Sequence, residues 1–317
     1  MTRFIVRRSL QVIPMMFGIS IIVFGIIQSA PGGPETMLLR SGRIVDPEVI
    51  EAYRVRLGVD QPIPVQYVRW LGAVVTGDLG QSFATNRPVV DVVLERLPAT
   101  IELMGTAFLV ALVLALGLGV MSAVKQYSWF DHLGTGMSFA GIAMPVFWFG
   151  LILQLAFAVK LGWLPVSGRQ TVGASSFLDH ARYLVLPASV LSVRYIAGWS
   201  RYLRSSMLGT LSADFIRTAR AKGLSEGRVV WVHALRNAMI PVVSVMALDT
   251  AALFSGALIT ETVFAWPGIG RLFVTAMDQR DYPVLMGILL LGSLMVIVFN
   301  LIADVLYGVL DPRIRYE

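Results

Sequence analysis

The 317-residue chain is 56% hydrophobic but only 15% charged, has no cysteine and carries a net charge of +6. That falls short of the roughly one-quarter charge of soluble domains, and the apolar residues lie in long blocks, which mark membrane spans rather than a larger core. No basic patch interleaved with aromatics accompanies the positive excess, which argues against nucleic acid, and the lack of cysteine excludes disulfide and thiolate chemistry.

The first apolar block, Leu10–Gln28, follows Arg3, Arg7 and Arg8 and so imitates a signal peptide. Its run is longer than a typical signal core and Gln28-Ser29-Ala30 is a loose cleavage match, so an uncleaved first helix with Pro14 near its start is expected. Residues 31–98 mix charges of both signs. Within them DPEVIEAYRVRLG places Pro47 at a helix start, spaces Val49, Ile50, Tyr53 and Leu57 helically and closes on Gly58. PVQYVRWLGAVVTGDLG repeats the pattern, PVVDVVLERL follows, and GDLGQS between them reads as a turn. Three short helices joined by Gly/Pro turns predict a small folded domain on the outer surface.

Five further blocks are long enough to cross a bilayer: Thr100–Val124, Gly134–Val159, Tyr183–Leu203, Ala238–Thr260 and Val284–Leu310. The expected fold is therefore all-α, a polytopic membrane protein with six transmembrane helices. Lysines and arginines collect at the N-terminus, between the fourth and fifth spans (Arg204, Arg217, Arg220, Lys222, Arg228, Arg236) and in the tail (Arg313, Arg315). The excess of positive charge on cytoplasmic loops then orients the chain N-in and C-in. The expected organisation is 1–30, cytoplasmic N-terminus and first span; 31–98, extracytoplasmic helical domain; 99–310, a five-helix core that includes the cytoplasmic loop 207–237; and 311–317, a cytoplasmic tail.

No GxxxxGK[ST] occurs, so the chain has no P-loop for ATP, and no serine sits in GxSxG. His132, His180 and His233 lie on separate loops or span ends without HExxH or cysteine partners, which excludes a recognisable metal site and leaves no catalytic set. The spans carry few ionisable residues, chiefly Glu102, Arg194, Asp249 and Asp304. Intramembrane charge is costly and faces a partner or an aqueous path. Glu102 and Asp304, near span ends, read as interfacial or ion-paired. Arg194 and Asp249 lie deeper and read either as a pair between the fourth and fifth helices or as the lining of a translocation path. Gly105, Gly117, Gly119, Gly287 and Gly292 suit close helix packing.

The basic stretch LSADFIRTARAKGLSEGRVVWVHALRNAMIP, Leu211 to Pro241, is built differently from a merely solvated loop. Ser212 or Asp214 can cap a helix over Phe215–Lys222, with Phe215 and Ala219 on one side and Arg217 and Arg220 on another. Gly223 ends that helix, and Ser225 starts a second, Glu226 in its first turn, that carries Val229, Val230, Val232 and Leu235 toward the fifth span. Two short helices at an angle need something to pack on, either lipid headgroups or a protein subunit.

ARAKGL followed by HALRNAMIP resembles the loop after the fourth span in ABC importer permeases of the dipeptide/oligopeptide/nickel group, a version of the wider EAA loop. Aligned on Gly223, the generic glutamate position falls on Arg217, with Thr218 and Ala219 completing the triplet. RLGVDQPIPVQYVRWLGAVVTGDLGQSF, MPVFWFGLILQLAFAVKLGWLPVSGR, ETVFAWPGIGRLFVTAMDQRDYPVLMG and DPRIRY resemble further blocks of that group in the right order, and the long outer domain favours its dipeptide B-type subunit. The resemblance implies the type I ABC importer permease fold in a bacterial or archaeal cytoplasmic (inner) membrane. It further implies a second homologous permease, two cytoplasmic ATPases that hold the ATP and Mg, and an extracytoplasmic solute-binding protein. It places the coupling contact on Phe215, Arg217, Thr218, Ala219, Arg220, Lys222, Gly223, Leu224 and His233. Peptides lead as substrates; nickel chelates, glutathione and oligosaccharides use the same machinery. A secondary transporter or channel would instead show inverted repeats and broken polar helices, which the sequence lacks.

Overall fold

In hydrocarbon only helices and closed barrels satisfy every backbone N–H and C=O within themselves, so long apolar runs of good helix formers have one outcome here. The computed structural model describes residues 2–29, 48–49, 51–52, 55, 60–173 and 176–310. Among these residues the regular structure is helical, apart from one isolated antiparallel bridge between Gln81 and Pro88. The helices are α1 (Thr2–Gln28), α2 (Ile63–Val75), α3 (Val89–Leu94), α4 (Leu97–Val124), α5 (Trp129–Ala143) and α6 (Val146–Leu153, extended by a π turn over Gln154–Lys160). They continue as α7 (Phe177–Leu211), α8 (Asp214–Ala221), α9 (Leu235–Val263), α10 (Ile269–Gln279) and α11 (Tyr282–Leu310). The outer helix expected around Pro47–Gly58 falls largely outside the described residues, as does the tail 311–317; the other two outer helices are α2 and α3.

Among the described residues four helical stretches are long and apolar enough to cross a membrane: Leu10–Gln28, Val89–Val124, Glu226–Thr250 and Tyr282–Val305. The span expected over Gly134–Val159 is not one continuous helix. It breaks into α5 and α6, bent by 108°, and counting the pair as one span raises the number to five. Pro145 causes the break: it caps α6, and the residue before it, Met144, is pushed to an extended backbone at φ −80°, ψ 125°. α7, at 35 residues, is about 52 Å long and easily spans a bilayer, but it carries Arg182, Arg194, Arg201 and Arg204 and is too polar to qualify by composition.

The chain divides into two compact units. In the unit containing Ile101–Trp266, α7 is the central element and packs against α5, α6 and α9. Its inward face buries Leu186, Val190, Leu191, Tyr195, Trp199, Leu203 and Met207. α4 approaches α7 closely because Gly119 has no side chain: a Cβ there would lie 2.9 Å from the Ser200 carbonyl oxygen. The close-packing expectation thus holds at Gly119, whereas Gly105 and Gly117 face open space. Gln154 secures the loop after α6 by donating to the carbonyls of Val166 (2.9 Å) and Val263 (3.1 Å).

In the unit comprising Val6–Thr100 and Pro267–Ile297, α2 lies along α1 through Phe17, Phe24, Tyr67 and Trp70, and Tyr67 and Ser20 share a hydrogen bond of 2.9 Å. GDLGQS does form a turn, with Gly77 and Gly80 at φ 88° and 82°. The loop that follows is tied down by a buried carboxylate. Asp281 accepts from Ser82 Oγ (2.5 Å), Phe83 N (3.0 Å) and Ala84 N (3.2 Å). Its place just before α11, with Pro283 two residues on, is that of an ordinary helix cap, yet its side chain serves a loop two hundred residues away in sequence. Asp281→Ala leaves these donors without their acceptor and is expected to cost about 3 kcal/mol, read as a lowered melting temperature of the detergent-purified protein.

Candidate functional site

Between α7 and α9 the chain folds into a compact loop. α8 begins after Ala213, not with a capping side chain: Ser212 donates instead to the Gly209 carbonyl (2.9 Å), and Asp214 lies inside the first turn, where the helix dipole favours it. Asp214 also pairs with Arg217 three residues on. Both side chains are exposed, so the pair is screened and contributes little to stability. The helix closes at Lys222, and Gly223, at φ 76°, reverses the chain while its N–H donates to the Arg220 carbonyl at 2.9 Å. Arg220 then reaches across the reversal and grips Glu226 with two hydrogen bonds of 2.8 and 3.2 Å. These bonds raise the Arg220 pKa above its ordinary value.

Two expectations need correction. First, the helix face turned toward the rest of the chain carries Ile216 and Ala219, both buried, whereas Phe215 is 45% exposed. Phe215 and Ala219 are four residues apart, but the buried direction runs between Ile216 and Ala219, which leaves Phe215 about 70° away from it at the edge of that face. Second, the segment after Ser225 is not a separate short helix. Glu226–Arg228 and a π turn over Val229–Ala234 run directly into α9, since no breaker interrupts them. Val229 and Val230 are buried as expected, but Val232 is 52% exposed beside Trp231 at 51%. Arg217, Thr218, Arg220 and Lys222 are exposed, Leu224 and His233 partly so. The exposed residues of the loop therefore include the apolar Phe215, Trp231 and Val232 and the cations Arg217 and Lys222. Ser206 Oγ, donating to the Ala238 carbonyl (2.8 Å), links the end of α7 to the start of α9 on either side of it.

The deeper charges are placed differently from the pairing alternative. Among the described residues Arg194 and Asp249 form no ion pair: Asp249 accepts from Trp199 Nε1 at 2.8 Å, and Arg194 is exposed. Trp199 and Arg194 are five residues apart, about 140° around the helix, so only one of them can face α9. Glu102 is ion-paired, with Arg169 (2.6 and 3.2 Å) and His180, beside the ring of the buried Trp266. Asp304 is partly buried in α11.

Two further arginines of α7 are placed by tertiary contacts that no local motif signals. Arg204, taken as a loop cation, makes a bidentate ion pair with Asp131 (2.6 and 2.7 Å), whose side chain is 1% exposed. The Ser128–Asp131 spacing at the start of α5 signals a helix cap, and Asp131 N does donate to Ser128 Oγ (3.3 Å), but nothing local points to Arg204. Arg201, one turn before, lies over the ring of Phe139 (5.1 Å) in a small polar cleft with Ser122, Thr135, Ser138 and Ser200; its Nε is buried and without a hydrogen-bond partner.

Residues 115–316 match the family described as binding-protein-dependent transport system inner membrane component, and residues 1–104 match the N-terminal family of the same membrane components. The chain belongs to this family. It is 43% identical over 322 residues, covering all of both chains, to the oligopeptide transport system permease protein AppB of Bacillus subtilis (strain 168). Over 336 residues it is 43% identical to the di/tripeptide transport system permease protein DppB of Pseudomonas aeruginosa (strain UCBPP-PA14), and over 317 residues 40% identical to the glutathione transport system permease protein GsiC of Escherichia coli O6:H1, again end to end. Among solved structures it shares the fold of the inward-facing MetNI methionine ABC transporter, with a TM-score of 0.58 at 14% identity, over 70% of this chain and 97% of that one. The chain is thus a membrane component of a transport system and not itself an enzyme. The expected ABC importer permease fold is the one observed.

Proposed function

We propose that this family member is the permease subunit of an ATP-driven importer of di- or oligopeptides, and that the loop 207–237 is where it couples to cytoplasmic ATPases. The observation that carries the coupling role is the set of residues the loop exposes. Phe215 on α8 and Trp231 and Val232 on the π turn that leads into α9 are exposed apolar residues, with the exposed cations Arg217 and Lys222 on the same loop, and the reversal between them is bonded at Gly223. In this reading six spans run N-in and C-in, residues 31–98 form the extracytoplasmic domain and 99–310 the core. A second permease completes the path, a binding protein delivers substrate from outside, and ATP and Mg bind only to the two ATPases. Nucleotide closing the ATPases would pull the two loops together and stabilise one of two permease conformations over the other. Relatives named for oligopeptides, di/tripeptides and glutathione all point to peptide chemistry, substrates that carry free carboxylates.

The test is uptake of a radiolabelled tripeptide into proteoliposomes holding this chain with its co-encoded permease, ATPases and binding protein. Uptake is expected only with ATP inside and binding protein outside. Accumulation that persists without the ATPases would instead support a secondary transporter.

A further inference from the structure

α7 offers a surface unlike the exposed faces of α4 and α11. From Arg194 to Gly209 its exposed positions are Arg194, Tyr202, Ser205 and Gly209, with Gly198 and Arg201 partly open between them. At 100° per residue these six fall within about 100° of arc and form a continuous stripe along the helix. None has an aliphatic side chain. The exposed faces of α4 and α11 are of the opposite kind: Leu109, Val113 and Leu114 on α4, and Leu294, Val298 and Ile302 on α11, suit lipid tails.

Arg194 is the midpoint of the 35-residue helix, with about 25 Å of helix on either side, so with α7 as a span it lies far from both helix ends. An arginine at such depth requires water or a counter-charge. Arg194 makes no hydrogen bond or ion pair with any described residue, and Asp249, the acid nearest in character, is turned toward Trp199. Arg201 follows seven residues later on the same side, about 10 Å along the axis, with its Nε unsatisfied. Two guanidiniums without carboxylate partners, followed by the hydroxyls of Tyr202 and Ser205, form a surface complementary to an anion with hydrogen-bonding oxygens.

We infer that this stripe of α7 lines the aqueous translocation path and that Arg194 and Arg201 attract the free carboxylate of the passing substrate. The inference rests on the peptide-importer reading and specifies which face of which helix the substrate meets. Lipid is excluded as the occupant by the missing aliphatic side chains. A covering partner permease would have to supply an acid for Arg194.

Because the chain has no cysteine, single thiols can be placed in it without background of its own. In the complete transporter, Gly198→Cys, Tyr202→Cys and Ser205→Cys are probed with a membrane-impermeant anionic thiosulfonate and with its cationic trimethylammonium counterpart. Labelling is read on this chain after the subunits are separated. All three are expected to react, Ala197→Cys and Leu203→Cys to be protected, and the anionic reagent to be favoured by about tenfold over its ratio on a free thiol, as focused positive potential dictates. Arg194→Gln with Arg201→Gln should erase that preference, and the two lysine replacements should retain it. Unreactive thiols in an assembly that still imports peptide overturn the inference and leave the importer reading intact, since lipid or the partner permease then covers the face. Reactive thiols without an anionic preference overturn the role of the arginines. An unmodified assembly that imports no peptide with ATP counts against the importer reading itself.

Discussion

Gly223→Pro is expected to abolish ATP-dependent uptake while the chain still inserts into the membrane at its normal level. Residue 223 sits at φ 76°, and proline is locked near −65°, on the opposite side of the map. Proline also lacks the N–H that Gly223 donates to the Arg220 carbonyl. Both losses fall on one reversal and cost about 3 kcal/mol or more, enough to deplete the native loop roughly a hundredfold. The spans on either side carry their own apolar faces and do not depend on that reversal. Co-purification of the ATPases with the permease, compared with its membrane level by immunoblot, measures the effect. Normal uptake by this variant would remove the coupling role from the loop. Phe215→Ala is the companion test, because Phe215 is the exposed aromatic of α8. It should weaken ATPase retention without disturbing the fold. A bulky residue at Ala219 would not test docking, since Ala219 is buried within the chain and the added volume would distort α8 itself.

The second large effect is expected at Asp131. Its side chain is 1% exposed, is gripped by Arg204 through two short bonds, and accepts a third hydrogen bond from Tyr127 N at 3.0 Å. Asp131→Ala leaves a partly buried guanidinium and an amide without their acceptor, and breaking one partner of such a pair costs about 3–5 kcal/mol. A fall of roughly 10 °C in the melting temperature in detergent is the expected reading. Arg204→Ala should cost a similar amount, because it strips the counter-charge from a carboxylate whose side chain is only 1% exposed. Replacing both, Asp131→Ala with Arg204→Met, should recover part of the loss, since no uncompensated charge then remains. A double variant as unstable as the sum of the singles would mean that the two side chains act independently.

Much of this protein was legible one segment at a time. Long apolar runs, Gly223 as the reversal, the GDLGQS turn and the helical α2 and α3 all depend on local chemistry: backbone groups that must be satisfied in lipid, positive φ at glycine, and apolar spacing at 3.6 residues per turn. The helical periodicity also flagged α8 as amphipathic, but it could not locate the centre of the buried face. That was decided by where the π turn over Val229–Ala234 lies beneath it, and it exchanged Phe215 for Ile216. The break at Pro145 was present as a residue, yet its 108° consequence depended on whether neighbouring helices would restore a straight span.

Charge was read least well, for a physical reason. By itself the sequence determined how many charges the chain holds and that few of them fall in apolar blocks, because composition and hydropathy are properties of the string. It could not decide which charge meets which. Asp131 with Arg204, Glu102 with Arg169 and His180, and Asp281 with the Ser82–Ala84 loop join residues far apart in the chain, and the Coulomb and hydrogen-bond terms that pair them act only over a few ångströms. Only tertiary packing brings such groups within reach, as the packing of α5 onto α7 does for Asp131 and Arg204. The packing of α7 onto α9 turned Trp199, not Arg194, toward Asp249 and left the arginine on an open face of α7.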